Sequence, residues 1–182
     1  MIVPGAVQKM GKVMWGLFLV AALLASPAMA EVRDPASHFF QPKLGDFQAE
    51  LDAAKQEGKA GILLMFELDD CPYCHRMKAT ILNQSEVQDW YRRYFLIYAV
   101  DAKGDTAMTD FTGKQTTEKA FALDQRVRAT PVFQFYDLQG KPVTRFTGAT
   151  QNKEEFLLLG RYVAEGIYKT MPFNVYKKQV GQ

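Results

Sequence analysis

The stretch that most constrains this chain is Gly61-Ile-Leu-Leu-Met-Phe66, followed after a short link by Cys71-Pro72-Tyr73-Cys74. An unbroken apolar run of that length suits a strand buried on both faces, which calls for helices above and below a sheet. A Cys-x-x-Cys that opens a helix just past such a strand places chemistry at the strand's carboxyl end. Cys71 then sits at the helix N-terminus, where unpaired backbone N–H groups and the dipole favour an anion. Its thiolate fraction rises, and the thiolate is the nucleophile. Cys74 follows one turn later on the same side, placed to resolve a mixed disulfide. Pro72 suits the first turn because it lacks an N–H that would go unpaired there.

Blander readings of the pair compete. A structural disulfide would close a loop of only two residues, with little entropic effect on the unfolded chain. Half a zinc site would have to recruit His38 and His75, and His75 directly follows Cys74 and points elsewhere on the helix. Two inert buried thiols are the third. Spacing, strand–helix context and export favour a redox pair, with no metal and no cofactor.

Residues 1–30 read as a secretory signal. Lys9 and Lys12 form a basic start, Val13 to Ala25 is an uncharged apolar run, and Ala28-Met29-Ala30 offers small residues for cleavage after Ala30. The run of thirteen falls short of the roughly 20 residues that span a bilayer. Lys9 and Lys12 are the only charged side chains of residues 1–30, so the mature chain from Glu31 carries 20 basic and 20 acidic residues. A neutral surface argues against nucleic acid and against electrostatic membrane binding. A monomer in the periplasm is expected. Overall, 48% hydrophobic and 23% charged residues exclude a disordered or collagen-like chain.

Residues 31–45 read as an extended lead-in, and 46–182 as one alternating α/β domain. Asp46 caps a helix that buries Phe47, Leu51 and Ala54 and ends near Gly58. Cys71 to Leu82 is helical, and Ser85-Glu86-Val87-Gln88 has capping-box form. Phe95 to Val100 is a second buried strand. Residues 101–115 read as a long polar inserted loop that either borders the client groove or, as its composition favours, is a solvated connection, and Thr116 or Thr117 caps the next helix. Val132 to Tyr136 and Pro142 to Thr147 make a hairpin turned by Gln139-Gly140. Asn152-Lys-Glu-Glu155 starts a final helix that buries Phe156, Leu157, Leu159, Tyr162 and Val163. Trp90 and Phe121 are assigned to the core.

With strand then CPYC, the later Thr130-Pro131, and the hairpin VFQFYDLQGKPVTRFTG, the chain resembles the thioredoxin superfamily over about residues 44–166. The resemblance implies a thioredoxin fold: a central mixed sheet flanked by helices, a cis peptide at Pro131, and a C-terminal hairpin plus helix. It implies that Thr130 pairs through its backbone with a substrate chain beside Pro131. Tyr73, between the cysteines at the exposed tip, is expected to face substrate. CPYCHRMK, the insertion VDAKGDTAMTDFTGK and the tail GRYVAEGIYKTMPF are most similar to periplasmic thioredoxins of the SoxW type.

Departures from the superfamily pattern bear on the chemistry. Asp70 stands where many members have Trp, and Met65 stands where many have a buried acid. Glu67, two residues on along the same strand face, is either a substitute for proton transfer or a solvent-facing strand-end carboxylate. Asp69 and Asp70 oppose the helix dipole at Cys71. His75 would favour a thiolate if protonated, but reads first as a partly exposed helix residue. The expected function is an exported thiol–disulfide oxidoreductase that reduces protein disulfides. No nucleotide motif occurs in the chain, so its electrons are expected from another protein; the resemblance implies an inner-membrane thiol transporter of the CcdA/DsbD kind. Sulfur-oxidation proteins or apocytochromes are the expected clients. A disulfide-forming oxidase and a non-catalytic thioredoxin-fold binding module are the alternatives.

Overall fold

The computed structural model describes residues 31–43 and 45–181; the signal segment and its cleavage after Ala30 lie outside the described residues. The chain runs α1 (Pro35–His38), α2 (Phe47–Gln56), β1 (Gly61–Glu67), α3 (Pro72–Thr80), α4 (Ser85–Tyr94) and β2 (Phe95–Asp101). It continues through β3 (Ala107–Thr109), β4 (Gln115–Thr117), α5 (Glu118–Asp124), β5 (Val132–Tyr136), β6 (Pro142–Thr147), α6 (Lys153–Ala164) and α7 (Phe173–Gln179). A 3-10 turn at Ile167–Lys169 links the last two helices. Among the described residues no helix is long and apolar enough to cross a membrane.

The main sheet has the order β2-β1-β5-β6. β1 runs parallel to β2 and antiparallel to β5, and β5 pairs antiparallel with β6, so the sheet is mixed. The central strand β1 is wholly buried from Ile62 to Phe66. Because strand side chains alternate, it feeds two cores. Leu63 and Met65 join Phe133, Phe135, Phe156 and both cysteines on one face. Ile62, Leu64 and Phe66 join Phe47, Leu51 and Phe121 on the other. The helix caps at Asp46, Thr117 and Asn152 form as their sequences indicate, each side-chain oxygen accepting from backbone N–H groups of the first turn.

Four local expectations are corrected. The lead-in is not simply extended. Asp34 accepts from the Ala36 N–H and Pro35 occupies the first turn, so α1 forms and delivers Phe39 and Phe40 into the core. Residues 101–115 are not a solvated loop. Asp110 accepts from the backbone of Thr112 and Lys114 and turns the chain into the β3–β4 hairpin. Phe111 on that turn stacks on Phe47, with ring centroids 4.8 Å apart. At α4 the cap residue is Gln84, not Ser85, and it makes no side-chain cap bond; the Gln88 amide instead donates to the carbonyls of Arg33 and Leu82. Finally, α7 continues the chain beyond the expected last helix and packs Phe173 and Tyr176 against Tyr162.

Where α6 crosses α4, Gly160 leaves room for aromatic rings. A Cβ there would lie 2.3 Å from Trp90 Cζ3 and 2.9 Å from Tyr91 Cζ. Alanine is worth about 1 kcal/mol over glycine in a helix, but overpacking costs roughly 1–3 kcal/mol. Trp90 lies at the core edge and has somewhere to move, whereas Tyr91 is fully buried and has none. Gly160→Ala is therefore expected to lower stability by roughly 1–2 kcal/mol, read from urea denaturation midpoints. A stabilised variant would show that the two helices separate freely.

Candidate active site

Cys71 is the N-cap of α3, with extended backbone (φ −95°, ψ 105°), and Pro72 follows in the first turn. Cys71 and Cys74 are joined by a disulfide with Cα atoms 5.3 Å apart. The Cys74 N–H donates to Cys71 Sγ at 3.1 Å. When the bond is reduced, that donor and the helix dipole are positioned to stabilise a Cys71 thiolate. Cys71 is less open than a helix tip suggests, at 5% exposure, and Cys74 is fully covered at 0%. Tyr73 between them projects outward at 60% exposure.

The sheet register brings the second half of the site to the same edge. β1 ends at Glu67, and Phe66 pairs with Val132, the first residue of β5. Pro131, immediately before β5, therefore meets the end of the strand that leads to the cysteines. The Thr130–Pro131 peptide is cis. The Pro131 carbonyl accepts from the Gly148 N–H at 2.8 Å. Thr130 itself is left with no backbone hydrogen-bond partner among the described residues.

A family model described as a thioredoxin-like domain matches residues 47–164. The chain belongs to this thioredoxin-like family. Among solved structures, a thioredoxin-fold protein from Helicobacter pylori matches at TM-score 0.57 and 20% identity, covering 68% of this chain and 88% of that one. A DsbH oxidoreductase matches at TM-score 0.56 and 18% identity, covering 79% and 92%. A thioredoxin from Thermus thermophilus matches at TM-score 0.51 and 26% identity, covering 65% and 83%. No curated protein matches the chain. Sheet order, family and similar structures agree on a thioredoxin fold. With the Cys71–Cys74 disulfide, they support thiol–disulfide oxidoreductase chemistry at the general level.

Met65 is fully buried in the cluster that holds both cysteines, so an apolar side chain fills the strand position often held by an acid. Glu67 is partly buried at the end of β1. Its side chain is 18% exposed and binds Lys78 of α3, with Nζ at 2.6 Å from Oε2 and 2.8 Å from Oε1. Lys78 escaped the sequence reading, although its spacing of seven from Cys71 and four from Cys74 puts it on the same helix face. Asp69, Asp70 and His75 are exposed. Asp70 meets Lys103 only loosely, at 3.7 Å, in a pair worth little in water.

Proposed function

We propose that this chain is an exported reductase of protein disulfides. The nearly covered disulfide at the N-cap of α3, beside the unpaired backbone of Thr130, carries the reading. In the dithiol form, Cys71 as thiolate attacks one sulfur of a client disulfide. That S–S bond breaks, and the leaving client sulfur takes a proton. Cys74 then loses its proton and attacks Cys71 Sγ, which frees the second client thiol and closes the Cys71–Cys74 bond. Two electrons pass from the dithiol to the client. Thr130 supplies the backbone edge on which the client strand lies, with Pro131 behind it and Tyr73 beside it. Glu67, held by Lys78, is assigned to proton transfer with Cys74.

Export follows from the signal reading of residues 1–30, which places the work in the periplasm. Re-reduction falls to an inner-membrane thiol transporter of the CcdA/DsbD kind. The resemblance to SoxW-type thioredoxins makes sulfur-oxidation proteins or apocytochromes the client classes. Reductase is favoured over oxidase by what lies between α3 and Pro131. That segment holds α4, β2, a small hairpin and α5, not the helical domain that the resemblance associates with the bacterial oxidase.

The test is the reduction potential of the Cys71–Cys74 couple, equilibrated against glutathione and dithiothreitol buffers and read by mass after alkylation. A value near about −270 mV is expected for a reductase. A value near about −120 mV would make the protein an oxidant and overturn the assignment.

A further inference from the structure

Beside Thr130 lies an open groove of about 190 Å³. It is lined by the apolar Leu68, Ala102 and Val127 and by Thr130, and the Leu68 carbonyl accepts from the Cys71 N–H at 3.2 Å. Two cations flank it, Lys103 and Arg128, and both are exposed. Arg128 forms no ion pair among the described residues. Among the described residues the Lys103 ammonium meets only exposed Asp70, in a loose contact at 3.7 Å.

The turn that presents Arg128 is firmly held. The Arg126 N–H donates to Leu123 O at 2.8 Å and the Val127 N–H to Ala122 O at 2.9 Å. From β6, Arg145 donates to the carbonyls of Gln125 at 2.7 Å and Arg126 at 3.3 Å. Arg126 keeps a left-handed backbone, with φ 56°. A charge on a pinned turn costs little backbone ordering when it meets a partner, which favours its use in recognition.

We infer that this groove selects clients with an acidic residue beside the reacting cysteine, next to an apolar one. The inference rests on the reductase reading and names its substrate class. A client strand laid along the free backbone of Thr130 sends its next side chains over the apolar lining. There a carboxylate lies between Lys103 and Arg128. It competes with Asp70 for Lys103 and meets Arg128 unopposed. Asp69 and Asp70, on the cysteine side, act the other way and favour a basic residue. The groove and the cysteine flank therefore make opposite demands, and the acidic preference belongs to one side of the client cysteine.

The experiment uses the mature protein, reduced and freed of reductant, and disulfide-linked dimers of a short peptide with one central cysteine. Asp, Asn or Lys is placed up to two positions before or after that cysteine, with an alanine or leucine neighbour. Peptide thiol release is followed in acid-quenched single turnovers. At low salt, Asp on one flank is expected to react about tenfold faster than Lys at the same position, and the ratio is expected to collapse at high salt. The charge-reversed protein, Lys103→Glu with Arg128→Glu, is expected to prefer the Lys peptide on that flank. Such an inversion is not produced by a loss of folding. An Asp-to-Lys ratio within twofold of unity on both flanks, or a preference that survives charge reversal, overturns the inference while reaction of the Asn peptide leaves the reductase reading standing. Failure of all three peptides overturns both. If the groove instead receives a second copy of the chain, sedimentation will show a wild-type dimer that charge reversal dissociates, and the client assignment falls.

Discussion

Cys74→Ala is expected to convert the protein into a trap. Its Cys71 still attacks a client disulfide, but no internal thiol completes the exchange, and the mixed disulfide persists until external thiol arrives. Cys71→Ala is expected to lose disulfide reduction by roughly a thousandfold or more, since the remaining sulfur is fully covered where Cys71 keeps a small exposed face. Extracts from the native host, not pre-reduced, are passed over each variant, and adducts are eluted with reductant and identified by mass. Abundant adducts on the Cys74 variant and few on the Cys71 variant are expected. Greater trapping by the Cys71 variant would reverse the order of attack, and equal trapping by the two, or none by either, would undo the reductase reading and favour a binding module.

Phe156→Ala is expected to cost the most stability of any single truncation in the cysteine-side core. Phe156 is fully buried on α6. Its ring stacks on Tyr91 at 4.4 Å, meets Phe133 edge-on at 4.9 Å and lies 6.1 Å from Phe39. Those three partners come from α4, β5 and the lead-in, so one ring joins elements far apart in sequence. Truncating a buried Phe costs about 3–5 kcal/mol, a large share of the about 5–15 kcal/mol that holds a domain folded. The aromatic contacts add roughly 0.5–1.5 kcal/mol per pair beyond buried area, so Phe156→Leu should recover only part of the loss. Denaturant titration of the oxidised forms checks this. A loss below about 1 kcal/mol would mean that the core closes over the gap.

The division between what was legible in the sequence and what was not follows the range of the interactions. β1, the helix caps at Asp46, Thr117 and Asn152, and the β5–β6 turn are each written in a few neighbouring residues. At that turn Asp137 accepts from the backbone of Gln139 and Lys141, a bond within four residues. The cysteine pair was legible for the same reason: strand, link and helix start are contiguous, and the helix terminus supplies its own electrostatics. The small hairpin was hidden because its strands are only three residues long, below the length at which alternation is visible.

By itself, then, the sequence determined the strand–CPYC–helix unit, the alternation that gives β1 two buried faces, and the order of the main elements. All of these depend on interactions within a turn or two of chain. Only the tertiary structure decided what surrounds the disulfide. The order β2-β1-β5-β6 brings Pro131 to the end of β1, α1 swings Phe39 and Phe40 under the cysteine face, and α3 packing turns Lys78 onto Glu67. Lys103 and Arg128 line one groove because the connections after β2 and before β5 meet beyond the end of β1. Such contacts join residues many positions apart. They are set by how the layers pack, which no local pattern of residues records.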